Sequence, residues 1–277
     1  MPETESRPHT EQMKSSKTDM CRFLIENLSS TKKSIPLATR IVASAQKGEQ
    51  RCFGKDVLQL NEYFGTNVNV EGEENIPKTG GAVIVISHAT PTTSFPGWGD
   101  KHANPFWWAA GLVTAINSRR EKETNIRPIA HAPVGTKVDK LWRKVLDVYQ
   151  GFPVNPLAPK EALRSLDQAA EAAKEGDLII ISPEGETHTQ LTSAKRGVAR
   201  LAKSERPFIP ITFTEEQSEE GFSHHVLIGT PIEPPKEANS WSDLPSQKRK
   251  VLEQGFADLL MSSIAQLMPE DQRGKYK

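Results

Sequence analysis

Asp177-Leu178-Ile179-Ile180-Ile181-Ser182-Pro183-Glu184-Gly185 decides the fold class. Its unbroken aliphatic run, bounded by an aspartate and a Ser-Pro-Glu-Gly turn, reads as a strand buried on both faces. Such strands belong to parallel sheets, whose crossover helices cover both sides. Ala82-Val83-Ile84-Val85-Ile86 has the same character and runs into Ser87-His88. Helical patterns separate the two strands. Residues 106–116 form an apolar run, and 139–149 place Leu141, Trp142, Val145, Leu146 and Tyr149 on one side of a helix. An alanine-rich helix is predicted over 159–174, with Pro159 in its first turn and Gly176 after its last. Short strands are expected at 127–130 and 152–154. Downstream, the pattern predicts a helix over 194–203, strands at 208–213 and 226–228, and a closing helix over 252–267. This alternation predicts an α/β fold, a mostly parallel or mixed sheet flanked by helices.

The chain ahead of this unit differs in character. Residues 1–18 are polar and predict a disordered tail. Residues 19–65 predict a helical N-terminal extension in three pieces. Met20, Phe23, Leu24 and Leu28 follow an N-cap at Asp19; Leu37, Ile41 and Val42 follow Pro36; Val57, Leu58, Leu60 and Phe64 end at Gly65. Such helices either cover a core or lie on a surface, with Lys32, Lys33 and Arg40 offered to lipid phosphates in the second case. Residues 66–277 are then the α/β domain, opening on an edge strand marked by the alternation at Val68 and Val70.

Composition narrows the class of partner. In 277 residues, 35 Lys and Arg balance 35 Asp and Glu, giving a formal net charge of zero. That argues against nucleic-acid phosphate as the main partner. The longest apolar stretch, 106–116, is too short to cross a bilayer. The start carries no secretory pattern, and Cys21 and Cys52 have neither disulfide nor metal spacing. A cytoplasmic, reducing location is expected, with the protein either soluble or peripherally bound on the inner face of a membrane. The histidines His102, His131, His188, His224 and His225 lack metal-ligand spacing, so no metal is expected. A serine-hydrolase elbow, Gly-x-Ser-x-Gly, is absent from the sequence.

Open α/β sheets collect their ligands beyond the carboxyl ends of the strands. Three such ends here carry chemistry-bearing residues: Ser87-His88, Gly151-Phe152-Pro153-Val154-Asn155-Pro156, and Ser182-Pro183-Glu184-Gly185 followed by Lys195-Arg196-Gly197. In this order they resemble the glycerolipid, or lysophosphatidate-acyltransferase-like, acyltransferase family. The opening Glu71-Gly72-Glu73-Glu74-Asn75-Ile76-Pro77 leading to His88 resembles that family's first block. Gly151 to Val154 resembles the second, Ser182 to Gly185 with Lys195 to Ala202 the third, and Ile209-Pro210-Ile211 the fourth. The resemblance covers residues 66–232.

The resemblance implies transfer of a fatty acyl group from an acyl-CoA or acyl-ACP thioester to a lipid hydroxyl, with no cofactor beyond that co-substrate. It implies His88 as general base, a role suited to an imidazole titrating near neutrality. Gly151, Pro153, Glu184, Gly185, Lys195 and Arg196 are the implied substrate-binding residues, with Arg200 a further cation. The expected partners are the thioester donor, a lipid acceptor and a membrane surface.

Three positions depart from the family pattern. The family has an aspartate five residues after the histidine, where this chain has Thr93; Asp100 is the nearest downstream carboxylate. The Pro/Gly-rich stretch 91–99 allows a loop that returns Asp100 to the imidazole. Glu186-Thr187 stands where the family has Thr-Arg, and Asn155-Pro156 follows Pro153-Val154 where the family has an arginine. Loss of two forked phosphate donors argues for an acceptor lacking a terminal phosphate. A non-catalytic lipid- or acyl-carrier-binding protein and a thioesterase are the alternative readings of the same fold.

Overall fold

The computed structural model describes residues 34–64, 67–87, 107–120, 124–132, 137–185, 190–218 and 221–277. Two helices lead in, α1 (Ile35–Lys47) and α2 (Phe53–Phe64), followed by strand β1 (Asn67–Glu71). Then come β2 (Ala82–Ile86), α3 (Trp107–Arg119), β3 (Ile126–His131), α4 (Lys137–Val148), β4 (Phe152–Val154), α5 (Pro159–Glu175) and β5 (Leu178–Ile181). A 3₁₀ segment, Arg196–Ser204, precedes β6 (Phe208–Ser218) and β7 (Gly221–Ile228), and α6 (Ser246–Gln266) packs after them. The predicted α/β class is the one observed. Among the described residues, seven strands form one sheet in the order β1-β7-β6-β2-β5-β3-β4, parallel except for the β6–β7 pair.

Alternation along the central strands divides the core into two layers. Ala82, Ile84, Ile86, Leu178 and Ile180 face a layer built from α1 to α4. Val83, Val85, Ile179 and Ile181 face α5, the 3₁₀ segment and α6. This explains why β2 and β5 read as continuous aliphatic runs: every residue of both is buried. Of the two placements open to the N-terminal helices, the structure has them covering the core. Leu37, Ile41, Phe53 and Val57 are buried in the first layer, and Arg40 donates to Gln59 Oε1 at 2.9 Å. The predicted helix starting at Asp19, with Lys32 and Lys33, lies outside the described residues.

Two expectations need correction. The 194–203 segment was expected as an ordinary helix; it is 3₁₀ from Arg196 to Ser204, with Val198, Leu201 and Ala202 buried. Strands expected at 208–213 and 226–228 instead extend into a long antiparallel pair, from Ile211↔Ile228 to Ser218↔Gly221. Residues 214–218 and 221–225 are mostly polar, so the backbone ladder continues where the apolar signal stops.

Two prolines mark places where the ladder is interrupted. Pro210 lies opposite Val85, between the Phe208↔Ile232 bridge and the start of the β6–β7 ladder. There it lacks only an N–H that the interrupted ladder does not use. At Pro128 the pairing of β3 changes partner. β3 pairs with β5 up to Pro128↔Ile180, and with β4 from Ile129↔Phe152 onward. Beyond Pro128, β3 therefore parts from β5, and the carboxyl edge of the sheet forks.

Candidate active site

A cavity of about 700 Å³ opens in this fork. Its lining takes in the ends of β2 (Ile86), β3 (Pro128 to His131), β4 (Val154) and β5 (Ile180 to Ser182). Phe53 of α2 and Tyr149, just after α4, also line it, with their rings edge to face at 5.4 Å. α5 contributes Ala162, Leu163 and Leu166, so most of the wall is apolar. Polar groups gather where the cavity meets the 3₁₀ segment: Lys195, Arg196, Arg200 and Glu253. An apolar enclosure with a few polar groups is the usual form of a small-molecule or cofactor site.

The apolar wall is held by part-buried ionic contacts. Arg51 grips Asp56 with two donors, Nε to Oδ2 at 2.6 Å and Nη2 to Oδ1 at 2.7 Å. The Tyr149 hydroxyl donates to the same Asp56 Oδ2 at 2.9 Å, tying α2 to the end of α4. The hydrogen bond that Arg51 donates to Asp56 is the largest influence on it and raises its already high pKa. Burial is the largest influence on Tyr149, and with the nearby Asp56 charge it pushes the phenol well above its ordinary value. On the far side of the fork, the Arg127 guanidinium lies 4.2 Å over the Phe152 ring. Its Nε donates to the Gln150 carbonyl at 2.7 Å and its Nη1 to Asp177 Oδ2 at 3.0 Å, linking β3 to the residues that precede β4 and β5 on either side of it.

The sequence-predicted site residues fall into three groups. Glu184, Gly185, Lys195 and Arg196 come together after β5. Glu184 is 1% exposed and accepts the Thr192 amide at 2.8 Å, so it ties the Pro183–Gly185 turn to the following loop. Gly185 has φ of 71°, and a Cβ there would meet Lys195 Nζ at 3.1 Å; the lysine stem crosses the open face of this glycine. Arg196 sits 3.8 Å from Glu253 of α6 and remains half exposed. Arg200 belongs to a different arrangement. Its fork takes both oxygens of Asp167 on α5, which Lys203 also approaches at 3.3 Å, so its guanidinium joins two elements.

The second group is Gly151 and Pro153. Neither is among the cavity-lining residues. Gly151 is a packing position: a Cβ would stand 2.3 Å from Leu146 Cδ1 and 2.9 Å from the Pro128 carbonyl oxygen. Pro153 pairs with Ala130 inside β4, and its neighbours Val154 and Pro156 line the cavity instead. The third group is His88, Thr93 and Asp100, which lie outside the described residues, as do Glu186 and Thr187. The structure does describe Ser87, buried directly after β2. Sequence reasoning missed Phe53, Tyr149 and His131 as cavity residues. The apolar side of α4 gave a signal for Tyr149, whereas Phe53 reaches the cavity only through the long-range packing of α2.

Residues 109–214 match the family model described as Acyltransferase. The matched segment covers 106 of the chain's 277 residues. That segment runs from α3 into β6 and includes the forked edge, the Ser182–Gly185 turn and Lys195; it begins beyond His88 and Asp100. Among solved structures, the chain is similar to the 1-acyl-sn-glycerophosphate (LPA) acyltransferase PlsC from Thermotoga maritima. The two share 17% identity over 88% of this chain and 86% of that one, with a TM-score of 0.42. No curated protein matches the sequence. Among the described residues, no helix is long and apolar enough to cross a membrane.

Proposed function

We propose that the protein transfers a fatty acyl group from an acyl-CoA or acyl-ACP thioester to a hydroxyl of a glycerolipid or related lipid acceptor. The observation that carries this reading is the apolar cavity of about 700 Å³, lined largely by residues of the segment that matches the family model, with Lys195 and Arg196 on its rim. Hydrocarbon enters the fork between β3 and β5, and the cationic rim meets the phosphate of the donor's carrier or of the acceptor. In this reading the α/β unit 66–277 carries the chemistry, and Phe53 of α2 closes part of one cavity wall.

His88 follows the end of β2 by two residues and acts as the general base. It takes the acceptor hydroxyl proton as that oxygen attacks the thioester carbonyl carbon. The carbonyl re-forms as the carbon–sulfur bond breaks, and the imidazolium returns its proton to the departing thiolate. Asp100 fixes the imidazole tautomer and stabilises its positive form. The scheme needs no cofactor.

Thiol release from palmitoyl-CoA and palmitoyl-ACP over a panel of lipid acceptors tests the reading. The panel includes glycerol-phosphate, lysophosphatidate, lysophospholipids and neutral lipid alcohols. Acceptor-dependent release that falls about 10²-fold or more in His88→Ala supports it. Asp100→Asn should approach that loss, and Thr93→Ala should do little. Release without an acceptor identifies a thioesterase, and donor binding without release identifies a non-catalytic carrier.

The acceptor reaches the site from a membrane surface. Leu157 is 92% exposed in the turn between β4 and α5, its amide donating to Asn155 Oδ1 at 2.9 Å. Its neighbours Pro156, Pro159 and Leu163 line the cavity. Leu157→Asp should reduce cosedimentation with vesicles of anionic phospholipid while leaving turnover of a water-soluble short-chain donor unchanged. Equal sedimentation of the two proteins refutes this contact.

A further inference from the structure

The rim lysine follows a loop held from both sides. On the inner side, the Thr192 amide donates to Glu184 Oε1 at 2.8 Å and the Lys195 amide to the Pro183 carbonyl at 2.8 Å. On the outer side, residues 271–276 hold the same loop. The Leu191 amide donates to the Gln272 carbonyl at 2.9 Å, and Gln190 Nε2 to the Asp271 carbonyl at 2.8 Å. The Ala194 amide, immediately before Lys195, donates to the Tyr276 hydroxyl oxygen at 3.2 Å. That hydroxyl donates in turn to Asp258 Oδ1 of α6 at 2.8 Å, while Gln254 of the same helix reaches the Ala194 carbonyl at 3.3 Å.

Two details show how closely this outer strap is fitted. Gly274 has φ of 54°, and a Cβ there would stand 2.0 Å from the Leu191 carbonyl oxygen, so only glycine allows the approach. Lys275 closes the other side of the phenol, its ammonium 4.7 Å from the ring centroid and 3.5 Å from Asp258. Burial alone would raise the Asp258 carboxyl. Hydrogen bonds from Tyr276 and Gln254 and the nearby Lys275 ammonium outweigh it and hold that carboxyl below its ordinary range. The acceptor of the Tyr276 proton is thus kept ionised.

We propose that residues 271–276 are a strap that positions Lys195 for an anionic ligand, with Tyr276 as the positioning residue. The strap fixes the backbone one residue before the lysine, and the turn at Pro183 fixes the lysine's own amide. Freed from Tyr276, Ala194 and Lys195 would sample more orientations, and the ammonium would spend less time over Gly185. The ligand feature concerned is a phosphate, carried either by the donor's coenzyme or by the lipid acceptor. The proposal rests on the reading of Lys195 given under Proposed function.

The test compares Tyr276→Phe and Gly274→Ala with wild type, Lys195→Ala and the control Lys277→Ala. Hydrogen exchange at the Leu191 and Ala194 amides reads the strap directly. Binding of palmitoyl-CoA and of lysophosphatidate, titrated separately, reads the lysine. In both strap variants exchange should quicken about two- to tenfold at these amides, the scale of one lost hydrogen bond. The ligand weakened by Lys195→Ala should weaken by a similar factor in the strap variants, with kcat held within about twofold, the signature of lost uniform binding. Lys277→Ala should change neither. Unchanged exchange at both amides overturns the strap, and faster exchange with unchanged binding of both ligands overturns its function. If the strap variants behave as expected but wild type transfers no acyl group, the acyltransferase reading fails and the strap stands.

Discussion

Glu184 receives the Thr192 amide at 2.8 Å on a side chain that is 1% exposed. A carboxylate buried so fully after a strand serves the backbone around it before it serves a ligand. It converts the Ser182–Gly185 turn and the 190–195 loop into one unit, and that unit presents Lys195. Glu184→Ala leaves the amide without its acceptor and should lower unfolding stability by about 1–3 kcal/mol. Glu184→Gln retains an amide oxygen and should lose less. Urea midpoints of the two variants decide the matter, and equal midpoints for wild type and Glu184→Ala would remove Glu184 from this role.

Tyr149 gives a pH signature at the alkaline end. Burial, with the adjacent Asp56 charge, raises its folded pKa well above the ordinary value, while in the unfolded chain it titrates near 10. A raised folded value means that the native state keeps its proton more tightly. Its contribution is full below the unfolded pKa and is lost as pH rises through the folded one. Wild-type stability should therefore fall above about pH 10, and Tyr149→Phe should fall less steeply there. Parallel alkaline profiles for the two proteins would contradict the assignment.

Gly151 lies where the chain has no room for a side chain. A Cβ placed 2.3 Å from Leu146 Cδ1 forces either Leu146 or the Pro128–Gly151 approach to move. Gly151→Ala should cost about 1–3 kcal/mol in urea denaturation, as for other overpacked positions. Because Leu146 and Pro128 both line the cavity, palmitoyl-CoA affinity should fall with it. Unaltered stability would show that the packing relaxes without strain.

The fold was legible where burial is two-sided. Ala82–Ile86 and Leu178–Ile181 carry no polar alternation because helices cover both faces, and their sequences show it. The ends of β6 and β7 were not legible, since the polar run Thr214 to Ser218 carries no apolar alternation yet continues the backbone ladder. In the site, Glu184 and Lys195 were readable because the turn and the cation lie close in sequence. The association of Phe53 with Tyr149 was not, for it depends on the end of α4 being tied to Asp56 of α2 across 93 residues of sequence. Gly151 was readable as a special position but not for its reason. It is defined by contacts with Leu146 and Pro128, which no local pattern announces.

Ala162 offers a direct test of where hydrocarbon lies. It sits on α5 with its small side chain at the cavity wall, next to the partly exposed Leu163. Ala162→Trp adds an indole where the proposed acyl chain would run, without touching Lys195 or the β2 end. If the chain occupies the fork, long donors lose contacts there and short ones do not. Each methylene kept from burial forfeits about 0.8 kcal/mol, so displacing two or more should lower the palmitoyl-to-butyryl preference about tenfold or more. The ratio of kcat/KM for palmitoyl- and butyryl-CoA measures this, and circular dichroism checks that the variant is folded. A drop with both donors alike would mean that the indole disturbs the reacting end, and an unchanged ratio would place the hydrocarbon outside this cavity.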